Sequence, residues 1–160
     1  MKLTAKGRYA VMAVADMAAQ GDSSLVFVPE AAPVVSLSDI ASRQGISLSF
    51  LEQLCAKLRR AGLIESLRGV NGGYRFAKDP AHIALSEVIE AVDETIKAHG
   101  CTPETKQACN GLTNRCLTHN LWGALEAHIE SFLESISVKD VIDGRFPTNF
   151  TDADEMEAAE

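Results

Sequence analysis

The sequence has no apolar run that approaches the roughly 18 residues a membrane-spanning helix needs, and it has no internal repeat. It offers no Cys or Ser nucleophile with an identifiable base, and no glycine-rich phosphate loop between a strand and a helix. With 46% hydrophobic and 23% charged residues, it also lacks the bias of a disordered or collagen-like chain. These absences predict no membrane partner and no enzymatic activity.

The charge is unevenly spread along the 160 residues, a length that suits one domain with an appended element. The formal net charge of −7 at first argues against a nucleic-acid partner. However, residues 1–80 carry 10 Lys and Arg against 7 Asp and Glu, whereas residues 81–160 carry 5 against 15. This asymmetry predicts a basic working surface joined to an acidic remainder.

The N-terminal segment has some features of a secretory signal, because Lys2, Lys6 and Arg8 precede an apolar stretch over residues 9–19. Asp16 interrupts that stretch, and the apolar spacing fits one face of a helix. We therefore expect the first helix of a cytoplasmic protein. In that reducing compartment, the four cysteines are expected to be metal ligands, reactive thiols or core residues rather than disulfides.

Two short helices are predicted from residue 36 onward. Ser36 is placed to cap the first helix, with Asp39 three residues on, and Gly45 ends it. The second helix runs to about Arg60, with a buried stripe that follows helical spacing: Leu51, Leu54, Cys55 and Leu58. Two helices around a glycine turn predict a helix-turn-helix, whose second helix would enter a DNA major groove.

A β-hairpin is predicted directly after this second helix, with strands at 63–67 and 74–76 and a turn over 68–73. Residues 25–28 are expected to add a strand to the same sheet. A hairpin in this position is a wing. The segment from residue 57 to 78 has one acid, Glu65, and six basic residues: Lys57, Arg59, Arg60, Arg68, Arg75 and Lys78. Such charges can simply form a solvated face, but their clustering here favours a phosphate-binding footprint.

The acidic half begins with a predicted helix over residues 85–92, followed by a polar loop over 97–115. A long helix is expected from about residue 116, with an apolar stripe formed by Leu121, Trp122, Leu125, Ile129, Phe132, Leu133 and Ile136. That stripe exceeds the needs of one small domain, which predicts a homodimer. We expect a mainly α fold with a small β-wing, divided into a winged helix-turn-helix region (1–80), a cysteine loop with dimerisation helices (81–145) and a disordered acidic tail (146–160).

Three cysteines lie in the polar loop, with the spacing Cys101-x7-Cys109-x6-Cys116-x2-His119. Exposed free thiols oxidise, so three of them in a loop outside the core indicate a bound metal. Cys116 and His119 can both reach one centre from the first turn of a helix. Thiolates with an imidazole suit zinc or an iron-sulfur cluster, and the wide spacing modestly favours the cluster.

Several segments together resemble the IscR-type regulators of iron-sulfur cluster assembly over about residues 1–142. They are MKLTAKGRYAV at 1–11, SRQGISLSFLEQL at 42–54, Arg68-Gly69 with Gly72-Gly73-Tyr74, and CLTH at 116–119. The resemblance implies a homodimeric winged-helix repressor of cluster-assembly genes. It also implies a 2Fe-2S cluster supplied by the cluster-assembly machinery and operator DNA as the partner.

The same resemblance implies the site residues. The cluster ligands would be Cys101, Cys109, Cys116 and His119. The base-reading residues would be Ser49, Glu52 and Gln53, and a glutamate in the groove accepts a hydrogen bond from a cytosine amino group but repels phosphate. Arg68 would enter the minor groove, and the remaining candidate DNA contacts are Lys57, Arg59, Arg60, Gly69, Asn71 and Tyr74.

The chain departs from the best-known members of this family in two places. Its cysteine spacing is longer than C-x5-C-x5-C, and its loop over residues 21–35 is enlarged. A related branch senses nitric oxide and uses an acidic residue near the N-terminus in place of the histidine, but this chain has Arg8 there and retains His119. A nitric-oxide or redox sensor of the same fold, or a zinc or thiol-switch DNA-binding protein, remain as alternatives.

Overall fold

The computed structural model describes residues 5–21, 26–69, 72–94 and 117–147. Within these ranges the chain forms one two-stranded sheet and α-helices named in chain order: α1 (Ala5–Ala19), α2 (Leu37–Gln44), α3 (Leu48–Arg60), β1 (Ile64–Leu67), β2 (Gly73–Phe76), α4 (Leu85–Ala91), α5 (His119–Ser135) and α6 (Val138–Asp143). The predicted fold, mainly α with a small β-hairpin, is confirmed. No helix in the described ranges is long and apolar enough to cross a membrane.

The helix-turn-helix is formed by α2 and α3, as the sequence predicts. The Ser36 hydroxyl accepts a hydrogen bond from the backbone N–H of Asp39 at 3.1 Å and caps α2. Gly45 ends α2 in the left-handed conformation with φ of 65°, which glycine adopts without steric cost. The chain can therefore turn sharply into α3.

The wing is the antiparallel pair of β1 and β2, whose register runs from Ile64 opposite Phe76 to Leu67 opposite Gly73. The expected strand over residues 25–28 is wrong for the described part, because residues 26–28 are irregular and lead into a single 3-10 turn that begins at Pro29. Instead, Val35 exchanges two backbone hydrogen bonds with Tyr74, at 2.8 and 2.9 Å. A Cβ atom on Gly73 would lie 2.5 Å from the Val35 carbonyl oxygen, so this close approach requires glycine.

The core is built around α1, which contacts α2, α3, α4 and α6. The predicted α3 stripe is confirmed, since Leu51, Leu54, Cys55 and Leu58 are all buried. The same core includes residues beyond position 80: Ile83, Leu85, Val88, Val92, Ile136 and Val138. The hydrophobic core therefore crosses the predicted boundary at residue 80.

Most of helix α5 lies outside this core. It has no buried residue, although Phe132 and Leu133 near its C-terminal end contact the core. The backbone N–H of Leu85 donates to the Ile136 carbonyl at 2.9 Å, which fixes the end of α5 beside the start of α4. Most of the predicted disordered tail, from residue 148 on, lies outside the described residues.

Candidate DNA interface and metal ligands

The predicted base-reading side chains lie on the solvent face of α3. Ser49, Glu52 and Gln53 are exposed, whereas Leu51 and Leu54 on the opposite face are buried. The burial of one face fixes the rotation of the helix about its axis, so the polar face points away from the core. This arrangement leaves three hydrogen-bonding side chains available to a groove.

A buried carboxylate joins the helix-turn-helix to α1. Asp16 accepts hydrogen bonds from Arg43 Nε at 3.0 and 3.1 Å, from Arg43 Nη2 at 2.5 Å and from Gln44 Nε2 at 2.7 Å. These bonds, with Arg43 as the first cause, lower the pKa of Asp16 against the opposing effect of burial. Sequence reasoning missed this pair, although a lone acid inside the apolar stretch of α1 was the available signal.

Three of the six clustered basic residues are exposed at the end of α3 and on the wing. Arg59 Nη1 donates to the Ser66 hydroxyl at 3.0 Å, and Arg60 Nε donates to the Ala56 carbonyl at 3.3 Å. Arg68 is exposed beside Gly69, where the hairpin begins to turn. These three guanidinium groups are therefore exposed to solvent.

The other three basic residues are held by partners within the chain. Arg75 Nε lies 2.6 Å from Glu65 Oε1, and Lys78 Nζ lies 2.5 Å from Glu87 Oε2. Lys57 Nζ lies 2.8 Å from Asp93 Oδ2, so its charge faces α4. Of the remaining wing candidates, Tyr74 is half-buried and pairs with Val35, and Asn71 lies outside the described residues.

Only one of the four predicted metal ligands lies among the described residues. His119 is half-buried at the first residue of α5, whereas Cys101, Cys109 and Cys116 lie outside the described residues. Among the residues described, no group of three or more His, Cys, Asp or Glu side chains could hold a metal ion. As a donor set, three thiolates and an imidazole fit an iron-sulfur cluster or zinc.

The fourth cysteine, Cys55, is a core residue, as its place on the apolar stripe predicts. It is 0% exposed, and burial raises the pKa of its thiol to about 12. A thiol that stays protonated is a poor nucleophile and a poor metal ligand. Cys55 therefore contributes packing and no chemistry.

A helix-turn-helix followed directly by a β-hairpin, with polar side chains exposed on its second helix, defines a winged-helix DNA-binding protein. The chain matches the Rrf2 family, described as iron-dependent transcriptional regulators, over residues 3–144. It therefore belongs to the Rrf2 family and is a transcriptional regulator rather than an enzyme.

Curated relatives agree with the resemblance seen in the sequence. The chain is 46% identical over 159 residues to the HTH-type transcriptional regulator IscR of Aliivibrio salmonicida (strain LFI1238), covering 99% of this chain and 88% of that protein. It is 46% identical over 145 residues to the regulator of the same name in Yersinia pseudotuberculosis serotype O:1b (strain IP 31758), covering 91% and 81%.

Solved structures share the fold. IscR of T. potens is 30% identical with a TM-score of 0.67, over 98% of this chain and 96% of that one. CymR, the global cysteine regulator of B. subtilis, has a TM-score of 0.71 at 24% identity, over 91% and 98%, and shows likeness of fold alone.

Proposed function

We propose that this chain is a homodimeric repressor of iron-sulfur cluster assembly genes that responds to the supply of 2Fe-2S clusters. The observation that carries the proposal is the position of His119, half-buried at the start of α5 and three residues after Cys116. Because the chain belongs to a family of iron-dependent regulators, Cys116 and His119 are most directly explained as ligands of an iron centre. Because its target is operator DNA, the protein acts in the cytoplasm.

Operator recognition is assigned to α3 and the wing. The exposed Ser49, Glu52 and Gln53 read base edges in the major groove, with Glu52 selecting cytosine through its amino group. Arg68 enters the minor groove at the wing, and Gly69, Asn71 and Tyr74 are assigned as further DNA contacts. The exposed Arg59 and Arg60 neutralise phosphates.

The homodimer is supported by the apolar surface of α5. Leu121 is 60% exposed and Trp122 is 40% exposed on a helix that would be about 25 Å long. Apolar side chains repeated along an otherwise unburied helix favour burial against a second copy of the same helix. A two-fold dimer would place two α3 helices on half-sites about 34 Å apart.

The cluster ligands are assigned to Cys101, Cys109, Cys116 and His119. A 2Fe-2S cluster, when bound, supplies iron-sulfur chemistry held by three thiolates and one imidazole. Within the described part of the chain, His119 is the first residue of α5 and is half-buried. An imidazole ligand makes such a cluster more labile than four thiolates would, which suits a sensor supplied by the assembly machinery.

The proposal is tested by anaerobic purification with iron, sulfide and zinc analysis and visible spectroscopy. Wild-type protein is expected to be red-brown, with iron and acid-labile sulfide in equal amounts and a paramagnetic signal on reduction. Cys116→Ala and His119→Ala should reduce the visible absorption. Cys55→Ala is the matched control and should keep the spectrum, because Cys55 is enclosed by the core.

A colourless protein with one stoichiometric zinc per chain would overturn the cluster proposal and favour a zinc-stabilised DNA-binding protein. Loss of the spectrum in Cys55→Ala, together with its retention in Cys116→Ala, would overturn the ligand assignment.

A further inference from the structure

Lys57 differs from its basic neighbours at the end of α3. Arg59 and Arg60 are exposed, but only 24% of the Lys57 side chain is exposed. Its ammonium group donates to the Val92 carbonyl at 3.3 Å and lies 2.8 Å from Asp93 Oδ2. Lys57 therefore faces the end of α4, where its ammonium group already has two acceptors.

The acceptors of Lys57 lie where α4 ends. Val92 is the C-cap of that helix, and a cation at a helix C-terminus is favoured by the helix dipole. Asp93 has φ of 57°, the single positive value at a non-glycine position among the described residues. Aspartate and asparagine tolerate this left-handed conformation better than most residues. The hydrogen bond from Lys57 is the first of the causes that lower the pKa of Asp93.

The next residue joins the same end of α4 to α1. Glu94 is buried, and its Oε2 atom accepts a hydrogen bond from the backbone N–H of Gly7 at 3.1 Å. The end of α4 is thus held by α1 on one side and by α3, through Lys57, on the other. The Lys57 contacts therefore join α3 to the end of α4 without involving its DNA-reading face.

We propose that Lys57 is a positioning residue, which orients the recognition helix by bonding Asp93 and the Val92 carbonyl, and that it is not a DNA-phosphate contact. This inference rests on the proposed reading of operator DNA by α3. It replaces the assignment of Lys57 to the phosphate-binding set and makes Asp93, an acid in a DNA-binding protein, a residue that supports binding.

The test compares two duplexes across a salt series. One is the duplex that the wild-type chain selects from a random-sequence pool, and the other is a scrambled duplex of equal length and composition. The variants are Lys57→Met, Asp93→Asn and their double variant, with Lys57→Arg as the conservative rescue. Arg59→Met is the matched control, because Arg59 is exposed in the same helical turn and contacts the wing. Thermal unfolding checks that each variant is folded.

A positioning role predicts that Lys57→Met and Asp93→Asn each weaken binding to the selected duplex by roughly two- to thirtyfold. Binding to the scrambled duplex and the slope of log K against log salt should stay close to wild type. The double variant should bind the selected duplex no more weakly than the weaker-binding of the two single variants. Lys57→Arg should bind it as the wild type does. Arg59→Met should instead weaken both duplexes and lower the salt slope by about one.

A phosphate contact predicts the opposite pattern and would overturn the inference. Lys57→Met would then lower the salt slope by about one on both duplexes. Asp93→Asn would strengthen binding, because it removes a negative charge and frees a lysine. Failure of the wild-type chain to select any duplex would instead refute α3 as the DNA reader, and with it the role of Lys57.

Discussion

Replacing Asp16 tests the claim that one buried carboxylate holds the recognition unit on α1. Asp16→Ala removes the acceptor for Arg43 and Gln44, the last residues of α2, while leaving the DNA-reading face intact. The Asp16 side chain is 3% exposed, but that of Arg43 is 39% exposed. After the substitution, water can solvate the Arg43 guanidinium group. The loss of folding free energy is therefore smaller than for breaking a fully buried ion pair.

The expected loss is about 2–3 kcal/mol in the free energy of unfolding, since hydrogen bonds to a charged group contribute roughly 1.5–3 kcal/mol each before screening. Urea unfolding at pH 7 and fixed protein concentration measures it. Asp16→Asn keeps the shape of the side chain and loses its charge, so its free energy of unfolding should lie between those of wild type and Asp16→Ala. Glu90→Ala on the exposed face of α4 is the control and should stay within about 0.5 kcal/mol of wild type.

The same pair predicts the pH dependence of stability. The folded-state pKa of Asp16 lies below its ordinary value of 3.8, so its contribution is present above that value and is lost as the pH falls through the folded pKa. The difference between wild type and Asp16→Asn should therefore shrink below about pH 4. An Asp16→Ala protein as stable as wild type at pH 7, or a difference that does not change with acid, would refute this account.

Three further predictions concern α5, the helix-turn-helix and the core. Leu121→Glu combined with Trp122→Ser should convert the proposed dimer to a monomer in light scattering, and a variant that stays dimeric would place the interface elsewhere. Gly45→Ala should lower the free energy of unfolding by about 1–2 kcal/mol through the positive φ alone, because a Cβ atom there would meet nothing within 4 Å. Gly45→Asn should lower it by less, and equal losses in the two variants would contradict this reasoning. Burial raises the pKa of the Cys55 thiol to about 12, so Cys55 should resist alkylation at pH 8 until urea unfolds the chain. Rapid labelling of Cys55 itself in the folded protein, located by peptide mass mapping, would show that the core opens there.

Local patterns in the sequence were enough to predict the helix-turn-helix. The Ser36 cap, the Gly45 turn and the apolar stripe of α3 each depend on residues a few positions apart, and each is found in the structure. The exposed polar face of α3 followed from the same periodicity.

Contacts between distant residues could not be predicted in this way. A charge count placed Lys57 with the phosphate-binding residues, but its partner Asp93 lies 36 positions away and becomes a neighbour only when α4 packs beside α3. The Asp16 pair and the bond from Gly7 to Glu94 are likewise products of packing. The spacing indicated the three loop cysteines and His119 as candidate metal ligands, and the resemblance supplied the choice of a 2Fe-2S cluster, because no spacing rule alone separates zinc from a cluster.

The most direct test of cluster sensing is a titration of one duplex, selected by the wild-type chain from a random pool, with cluster-loaded and cluster-free protein under anaerobic conditions. The account predicts different affinities for the two forms, by roughly fivefold or more, and the loss of that difference in Cys116→Ala. Equal affinities for every duplex, whatever the metal content, would contradict the claim that cluster supply controls this regulator.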